Sequence, residues 1–353
     1  MSKEKVIALT GGGTAGHVMP HLAMLDDLNK NGYKLFYIGS NGIEKDIISS
    51  ESLEYVQIAS GKLRRYWSFQ NFLDIFKVIF GTLQSVAILL RRKPRLVYSK
   101  GGFVSVPVAV AAWILRIPVI SHESDYNPGL ANKIISRFAK KIFYSFPETK
   151  KFLPSEKAVF TGIPVRQILF QGDKAKGYER CGFSEGKTIL VMGGSLGAQK
   201  INDALLEALP QLVDRYQVAH ITGKGKGIPF EHPRYKSFEF ISEGLEDIFA
   251  IADVIVSRAG ANSIFEFLAL RKIMLLIPLE QGSRGDQVLN ANCFADRGWA
   301  QILLEKDLSP ERLLERLRFI ENNEKEILHS LDESMKENPA NVILSEIGRY
   351  YTS

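Results

Sequence analysis

The sequence predicts an α/β chain made of two doubly wound units, each a parallel sheet covered by helices, and three observations carry that prediction. Short apolar runs of β type alternate with stretches of helical period, the pattern of strand-helix-strand units. A glycine cluster follows the first run in "TGGGTAGHVMPH", residues 10–21, and Gly12-Gly13-Thr14-Ala15-Gly16 is echoed by Gly193-Gly194-Ser195-Leu196-Gly197 in "TILVMGGSLGAQKIND". At 353 residues, 45% hydrophobic and 24% charged, the chain can bury real cores, and its length favours two domains.

Taken in order, residues 6–9 read as a strand, 19–29 as a helix, 35–38 as a strand, 69–90 as a long helix and 96–98 as a strand. The stretch "QGDKAKGYERCGFSEG", residues 171–186, is polar and rich in glycine and charge, so it reads as the junction between the two domains. A fresh β-type run at 188–192 opens the second copy. Later, "VIVSRAGANSIFEFLAL" reads as a buried strand, a small-residue turn through Ala261 and Asn262, and a helix whose start carries Ser263 and Glu266. Strand-end loops of both copies would face a cleft between domains, where open parallel sheets bind ligands.

Composition excludes several classes. The net charge of +6 suits an anionic partner without choosing among nucleotide, acidic lipid and nucleic acid. Two cysteines, Cys181 and Cys293, make neither a disulfide framework nor a metal-type spacing, which fits a reducing cytoplasmic setting. The first apolar run is about five residues long and ends in glycines, unlike a secretory signal. The apolar stretches at 78–90 and 104–115 fall short of the roughly 20 residues that span a bilayer.

The first glycine cluster admits three readings. A dinucleotide site wants an acidic residue at the end of the second strand, and "KLFYIGSNG" ends in Gly39-Ser40-Asn41 instead. A phosphate loop wants Lys after its last glycine, and Gly16 is followed by His17. The third reading lets a bulky anionic substrate approach the glycine backbone, with N–H groups of the next helix facing its charge; a plain structural turn competes with it. Glu266 could complement its helix dipole or chelate a ribose diol. Gln287 suits the reading of sugar hydroxyls but is more often a surface or cap residue.

The order of motifs resembles the MurG family, the UDP-N-acetylglucosamine:lipid I N-acetylglucosaminyltransferases of peptidoglycan synthesis, over essentially the whole chain. The matching stretches are "GGGTAGHVMP", "SKGGFVSVPV", "HESDYNPGLANK", "TGIPVR", "GGSLGAQKIND", "ISEGLEDIFAIADVIVSRAGANSIFE" and "RGDQVLNA". The resemblance implies a GT-B glycosyltransferase, two Rossmann-like domains with a deep interdomain cleft: an acceptor domain over 1–165, a UDP-N-acetylglucosamine domain over 166–338, and a C-terminal helix over 339–353 crossing back to the first. It implies that Arg166 and Ser195 hold the diphosphate, Glu266 the ribose, the backbone at Ile241 the uracil edge and Gln287 the sugar. The loop Gly13, Thr14, Ala15 and Gly16 would serve the acceptor. Where the family commonly reads His-Glu-Gln-Asn, this chain has His122-Glu123-Ser124-Asp125, and Ala15 replaces a usual glycine. Asp125 can accept from a sugar hydroxyl but cannot donate as asparagine does.

The implied reaction inverts the anomeric centre in a single displacement, moving N-acetylglucosamine from UDP to the muramoyl 4-hydroxyl of lipid I to give lipid II. No D-x-D pair occurs, so no metal and no other cofactor is expected. His17 is the candidate base, with Glu123 and Asp125 in reserve; a capping or substrate-orienting role for His17 is the alternative. His17 and His21 are spaced i, i+4, but without a third ligand a metal site is not favoured. For the membrane, "KLRRYWSFQNFLDIFKVIFGTLQSVAILLRRK" sets Phe72, Ile75, Phe76, Ile79, Phe80, Leu83, Val86 and Leu90 at helical spacing. Arg64, Arg65, Trp67, Lys77, Arg91, Arg92 and Lys93 surround them, as for an anionic membrane surface; packing on the sheet is the plainer reading of part of the stripe. The expected partners are UDP-N-acetylglucosamine, lipid I, that surface on the cytoplasmic face and other cell-wall synthesis proteins, with no nucleic acid. Competing readings are a nicotinamide-dependent oxidoreductase, a catalytically silent nucleotide-sugar-binding or membrane-adaptor protein, and a GT-B glycosyltransferase with a diacylglycerol acceptor.

Overall fold

A computed structural model describes residues 4–61, 69–194, 197–281, 285–334 and 337–351, with the backbone alone for 69–73. The chain forms two compact units, one of residues 1–165 with 337–353, the other of 166–336.

The first unit is a parallel seven-stranded sheet of β1 (Lys5–Thr10), β2 (Tyr33–Gly39), β3 (Glu54–Gln57), β4 (Leu96–Ser99), β5 (Val119–Glu123), β6 (Lys141–Tyr144) and β7 (Ala158–Phe160), in the order 3-2-1-4-5-6-7. The order reverses between β1 and β4, the switch point at which doubly wound sheets bind ligands. Successive side chains of a strand point to opposite faces, so Ile7 and Leu9 enter one core with Met24, Leu28 and Phe143, while Ala8 enters another with Phe36, Val97 and Ala111. Coverage on both faces explains why β1 and β4 read as unbroken apolar runs.

The helix expected over 19–29 is two short ones, Met19–Leu22 and Leu25–Lys30, after a 3-10 turn at Ala15–His17. Between them the bonding tightens, Met24 N–H donating to His21 O at 3.0 Å. The last helix, Pro339–Gly348, packs on this unit. The Asn338 side chain caps it by accepting from Ala340 N–H at 2.9 Å. Ala340, Ile343 and Ile347 join the Ile7 core, and Tyr351 donates its hydroxyl to Val6 O at 2.7 Å.

The second unit is a parallel six-stranded sheet of β8 (Thr188–Met192), β9 (Gln217–Ile221), β10 (Tyr235–Phe238), β11 (Val254–Ser257), β12 (Ile273–Leu276) and β13 (Ala300–Ile302), in the order 10-9-8-11-12-13. The polar stretch 171–186 is not a junction but part of this unit. Asp173 caps a helix, Lys174–Cys181, which ends at Gly182 with φ +68. Gly177 is there for close packing: a Cβ would lie 2.3 Å from Asp247 O on the neighbouring helix Leu245–Ile251, whose Asp247 carboxylate accepts Asp173 N–H at 2.8 Å. Solvent-facing charge and a packing glycine together gave the stretch the composition of a linker.

Because Ile343 is wholly buried, Ile343→Ala should destabilise the first unit by about 2–5 kcal/mol, read as a lowered urea midpoint. A change inside experimental error would mean that the last helix adds no packing energy to that core.

Candidate active site

In the first unit, loops after the three central strands β1, β4 and β5 converge. Gly12, Gly13, Gly101 and Gly102 let backbones meet. A Cβ on Gly102 would lie 2.1 Å from Gly12 O and 3.1 Å from His17 Nδ1, and one on Gly13, which has φ +85, would lie 2.5 Å from the Phe103 ring. Gly13 thus leaves room for Phe103 as well as for any ligand.

An acid does lie close behind the second strand. Glu44, in the first turn of the helix Ile43–Ser49, is fully buried and turns back under the glycine loop. Its Oε2 accepts Gly13 N–H at 3.1 Å, and its Oε1 accepts Ser40 N–H at 3.0 Å and the Ser40 hydroxyl. A carboxylate so occupied cannot chelate a ribose, which removes the dinucleotide reading on geometric grounds. The Gly13 N–H is likewise committed to Glu44, so the loop does not offer it to a substrate anion.

His17 is half-buried at the end of its 3-10 turn. Its Nδ1 lies 3.0 Å from Gly12 O and 3.1 Å from Thr14 Oγ1. A carbonyl can only accept, so Nδ1 carries a proton in this arrangement, and in the neutral ring the lone pair is then on Nε2. His21 is different: it is fully buried edge-on to Tyr98 and Tyr37, with centroids 4.8 and 5.6 Å away, and burial holds its pKa well below the ordinary value. It is a neutral core ring. Among the described residues no cluster of His, Cys, Asp and Glu has metal-binding form.

After β5, His122 is buried between Tyr98, whose hydroxyl is 3.0 Å from Nδ1, and Gly162 O, which is 3.0 Å from Nε2. Glu123, also buried, accepts from Asp125 N–H at 3.0 Å, Gly129 N–H at 2.9 Å and Asn132 Nδ2 at 2.8 Å. Burial and then the neighbouring Asp125 push its pKa up, against those hydrogen bonds. Its oxygens are engaged in shaping the loop, and Asp125 sits half-buried beside it.

In the second unit the glycine turn after β8 shares one backbone feature with the first, Gly194 at φ +82 matching Gly13, but Gly197 stands at φ +68 where Gly16 lies in a 3-10 turn. A side chain at Gly194 would meet nothing within 4 Å, so the turn is open there. Ser195 lies outside the described residues. Asn202 braces the turn from behind, donating to Thr222 O at 3.0 Å while its Oδ1 meets His220 Nε2 at 3.0 Å. Ala261, Asn262 and Ser263 form the first turn of the helix Ala261–Ala269, entered through Gly260. Glu266 follows on that helix and pairs with Arg166, Nε to Oε1 being 3.4 Å but poorly aligned for a hydrogen bond. Burial raises the Glu266 pKa, and Arg166 pulls it back. Gln287, in the helix Asp286–Ala295, accepts Leu279 N–H at 2.9 Å through Oε1, leaving its amide nitrogen as the donor end. Ile241 lies half-buried in the loop after β10.

Family models for the glycosyltransferase family 28 N-terminal and C-terminal domains match residues 7–144 and 188–347. The UDP-N-acetylglucosamine-N-acetylmuramyl-(pentapeptide) pyrophosphoryl-undecaprenol N-acetylglucosamine transferase of Clostridium perfringens is 46% identical, over 98% of both chains. The chain belongs to the MurG family. The same-named enzyme of Lachnospira eligens is 49% identical, over 97% of this chain and 98% of its own. The crystal structure of Acinetobacter baumannii MurG matches with a TM-score of 0.77 at 25% identity, covering 98% of this chain and 99% of that one. Two Rossmann-like domains of the GT-B fold are therefore the architecture of this MurG-family chain.

Sequence reasoning missed Glu44, Asn202 and Phe103. The acid at position 44, five residues past the end of β2, was the available signal for the first.

Glu44→Gln should cost about 1–3 kcal/mol, because a buried amide nitrogen would face the Ser40 or Gly13 N–H. Gly13→Val should also destabilise, through its positive φ and the Phe103 ring, rather than only obstruct a ligand. Thermal melting of both variants without substrate checks this: unchanged melting would leave the loop independent of these contacts.

Proposed function

We infer that the chain transfers N-acetylglucosamine from UDP-N-acetylglucosamine to the N-acetylmuramyl sugar of lipid I, forming lipid II. The observation that carries this reading is near-half identity to enzymes of that activity along almost the entire chain. The oxidoreductase alternative loses its ribose acid to the Glu44 contact. No observation favours a diacylglycerol acceptor.

Within that reaction His17 is the base. With Nδ1–H turned to Gly12 O, its Nε2 lone pair takes the proton of the muramoyl 4-hydroxyl, and the Gly12 carbonyl stabilises the ring as it becomes charged. Glu123 is the weaker candidate because its oxygens are already accepting; Asp125 contacts the sugar as an acceptor. In the second unit Arg166 meets the diphosphate, and the first turn of Ala261–Ala269 adds its N–H groups to the developing charge of UDP. Glu266 then exchanges Arg166 for the ribose diol, while Ile241 and Gln287 read the uracil and the sugar.

The acceptor is a lipid, so a peripheral site on the cytoplasmic face of the membrane completes the reading, with a role in cell-wall growth. Among the described residues no helix is long and apolar enough to cross a bilayer. The helix Phe69–Arg92 packs through Gly81, Ser85 and Leu89 and leaves Ile75, Phe76, Ile79, Phe80, Leu83 and Leu90 exposed. Trp113, whose ring meets Phe138, and Ile114 are also exposed, on the adjacent helix Ser105–Ile114. Arg92 is held by Glu54, which leaves Arg91 and Lys93 as the cations at that end; Arg64, Arg65 and Trp67 lie outside the described residues, as does the Phe72 side chain.

Four outcomes test this. His17→Ala should lower turnover with lipid I by about 10²- to 10⁴-fold and leave UDP affinity within a few-fold; a proportional loss of UDP binding would reassign the first loop to the nucleotide. Glu266→Ala should weaken UDP by about 1.5–3 kcal/mol. In the parent, a raised carboxyl pKa means that UDP affinity falls as pH drops through it, because the diol needs the ion. Calorimetry should find proton release on binding, and Glu266→Gln should abolish it; a retained release would take Glu266 out of the site. Leu83→Ser should cost about 1.5–3 kcal/mol of partitioning onto anionic vesicles, measured by sedimentation. Undiminished binding would locate the docking face elsewhere.

A further inference from the structure

Beneath the ends of β1, β4 and β5 lies a charged side chain that the reaction so far does not use. Lys100, the first residue after β4, is 1% exposed. Its Nζ donates to Ser124 Oγ at 2.8 Å, and Ser124 stands between Glu123 and Asp125. An ammonium withdrawn from water is costly unless charge compensates it, and an apolar side chain of similar length would fill the space without that cost. The compensation comes from one loop: both carboxylates flanking Ser124 act on Lys100 electrostatically. Glu123 is in turn fastened to that loop through Asp125, Gly129 and Asn132.

We propose that Lys100 is a positioning residue of the acceptor site: through Ser124 it fixes the 123–125 loop, and it sets a buried positive charge against the carboxylates of that loop. This rests on the transferase reading above. The groups that act on Lys100 or feel it are His21 from the segment after β1, and His122, Glu123 and Asp125 from β5 and its loop; His17 acts on His21, and Tyr98 bonds His122. The two buried rings, His21 and His122, are held neutral by burial and then by Lys100 itself, so they contribute no competing cation. Burial pulls Lys100 down to about 7, and the two carboxylates act in the opposite sense. Removing the cation reverses the benefit to its partners. Glu123, whose carboxyl burial already pushes up, then keeps a proton to still higher pH, and once protonated it accepts the N–H groups that shape the loop less strongly.

The test is the pH dependence of kcat/KM for a soluble lipid I analogue, with the KM for UDP-N-acetylglucosamine measured alongside, in the parent, Lys100→Met and Ser124→Ala. The acid limb should move up by about 1 to 3 pH units in Lys100→Met and by less in Ser124→Ala. Above the limb the Lys100→Met rate should return to within a few-fold of the parent, with donor KM unchanged. A merely structural lysine would lower the plateau and leave the limb in place. An unmoved limb in the folded variants, or donor KM rising in step, overturns the inference; if Lys100→Met does not fold, Ser124→Ala decides alone. A parent that transfers normally with an unmoved limb in the variants overturns this inference only. A parent inactive on lipid I overturns the transferase reading and this inference with it.

Discussion

The geometry of the first glycine loop depends on a fully buried carboxylate, Glu44. The loop after β1 consists of glycines with little intrinsic preference, and one of them, Gly13, sits at φ +85. Left to itself such a segment would sample many conformations. Glu44 selects one by accepting from Gly13 and Ser40 while filling the space where a Gly12 side chain would stand, since a Cβ there would lie 2.6 Å from the Glu44 carboxyl carbon. Gly12 O then has a fixed place, and it is Gly12 O that sets the tautomer and orientation of His17. The order of cause runs from a buried acid, through a carbonyl, to the imidazole lone pair.

That order explains which parts of the molecule were legible in the sequence. Strands buried on both faces must be apolar throughout, so β8 could be read at 188–192 to the residue, whereas the last helix, which runs Pro339–Gly348, was expected only through the family resemblance. Short edge strands such as β3, "EYVQ", carry no such demand and gave no signal. The stretch 171–186 misled because composition does not separate a linker from a surface helix whose glycine admits a neighbour. Only the tertiary contact of Gly177 with Asp247 distinguishes them.

The site divides in the same way. Residue types suited to a diol and a sugar, Glu266 and Gln287, could be named from the chain alone, because a carboxylate and an amide have fixed donor and acceptor capacities, whereas Arg166 was named only through the family resemblance. Pairings could not. That Arg166 rests against Glu266, that the Glu123 oxygens are already spoken for, and that Arg92 is engaged by Glu54 are facts of three-dimensional neighbourhood. Each changes the chemistry. A carboxylate with its lone pairs occupied is a poor base, and a guanidinium facing a carboxylate must exchange one anion for another when substrate binds, which costs less than stripping it of water alone.

The two glycine turns then make a controlled comparison within one chain. Both follow the first strand of their sheet, and both put a glycine near φ +80 at corresponding positions, Gly13 and Gly194. Behind the first lies Glu44, which consumes a backbone N–H and brings negative charge. Behind the second lies the neutral Asn202–His220–Tyr235 network, His220 Nδ1 meeting the Tyr235 hydroxyl at 3.0 Å, and burial lowers the pKa of that imidazole to about 4. A diphosphate approaching the first turn would meet a carboxylate; approaching the second it would meet a neutral support and open space at Gly194. Repetition of a backbone motif therefore does not repeat its chemistry. A buried carboxylate behind the first turn and a neutral network behind the second distinguish the two copies, in keeping with the proposal that the second holds the nucleotide.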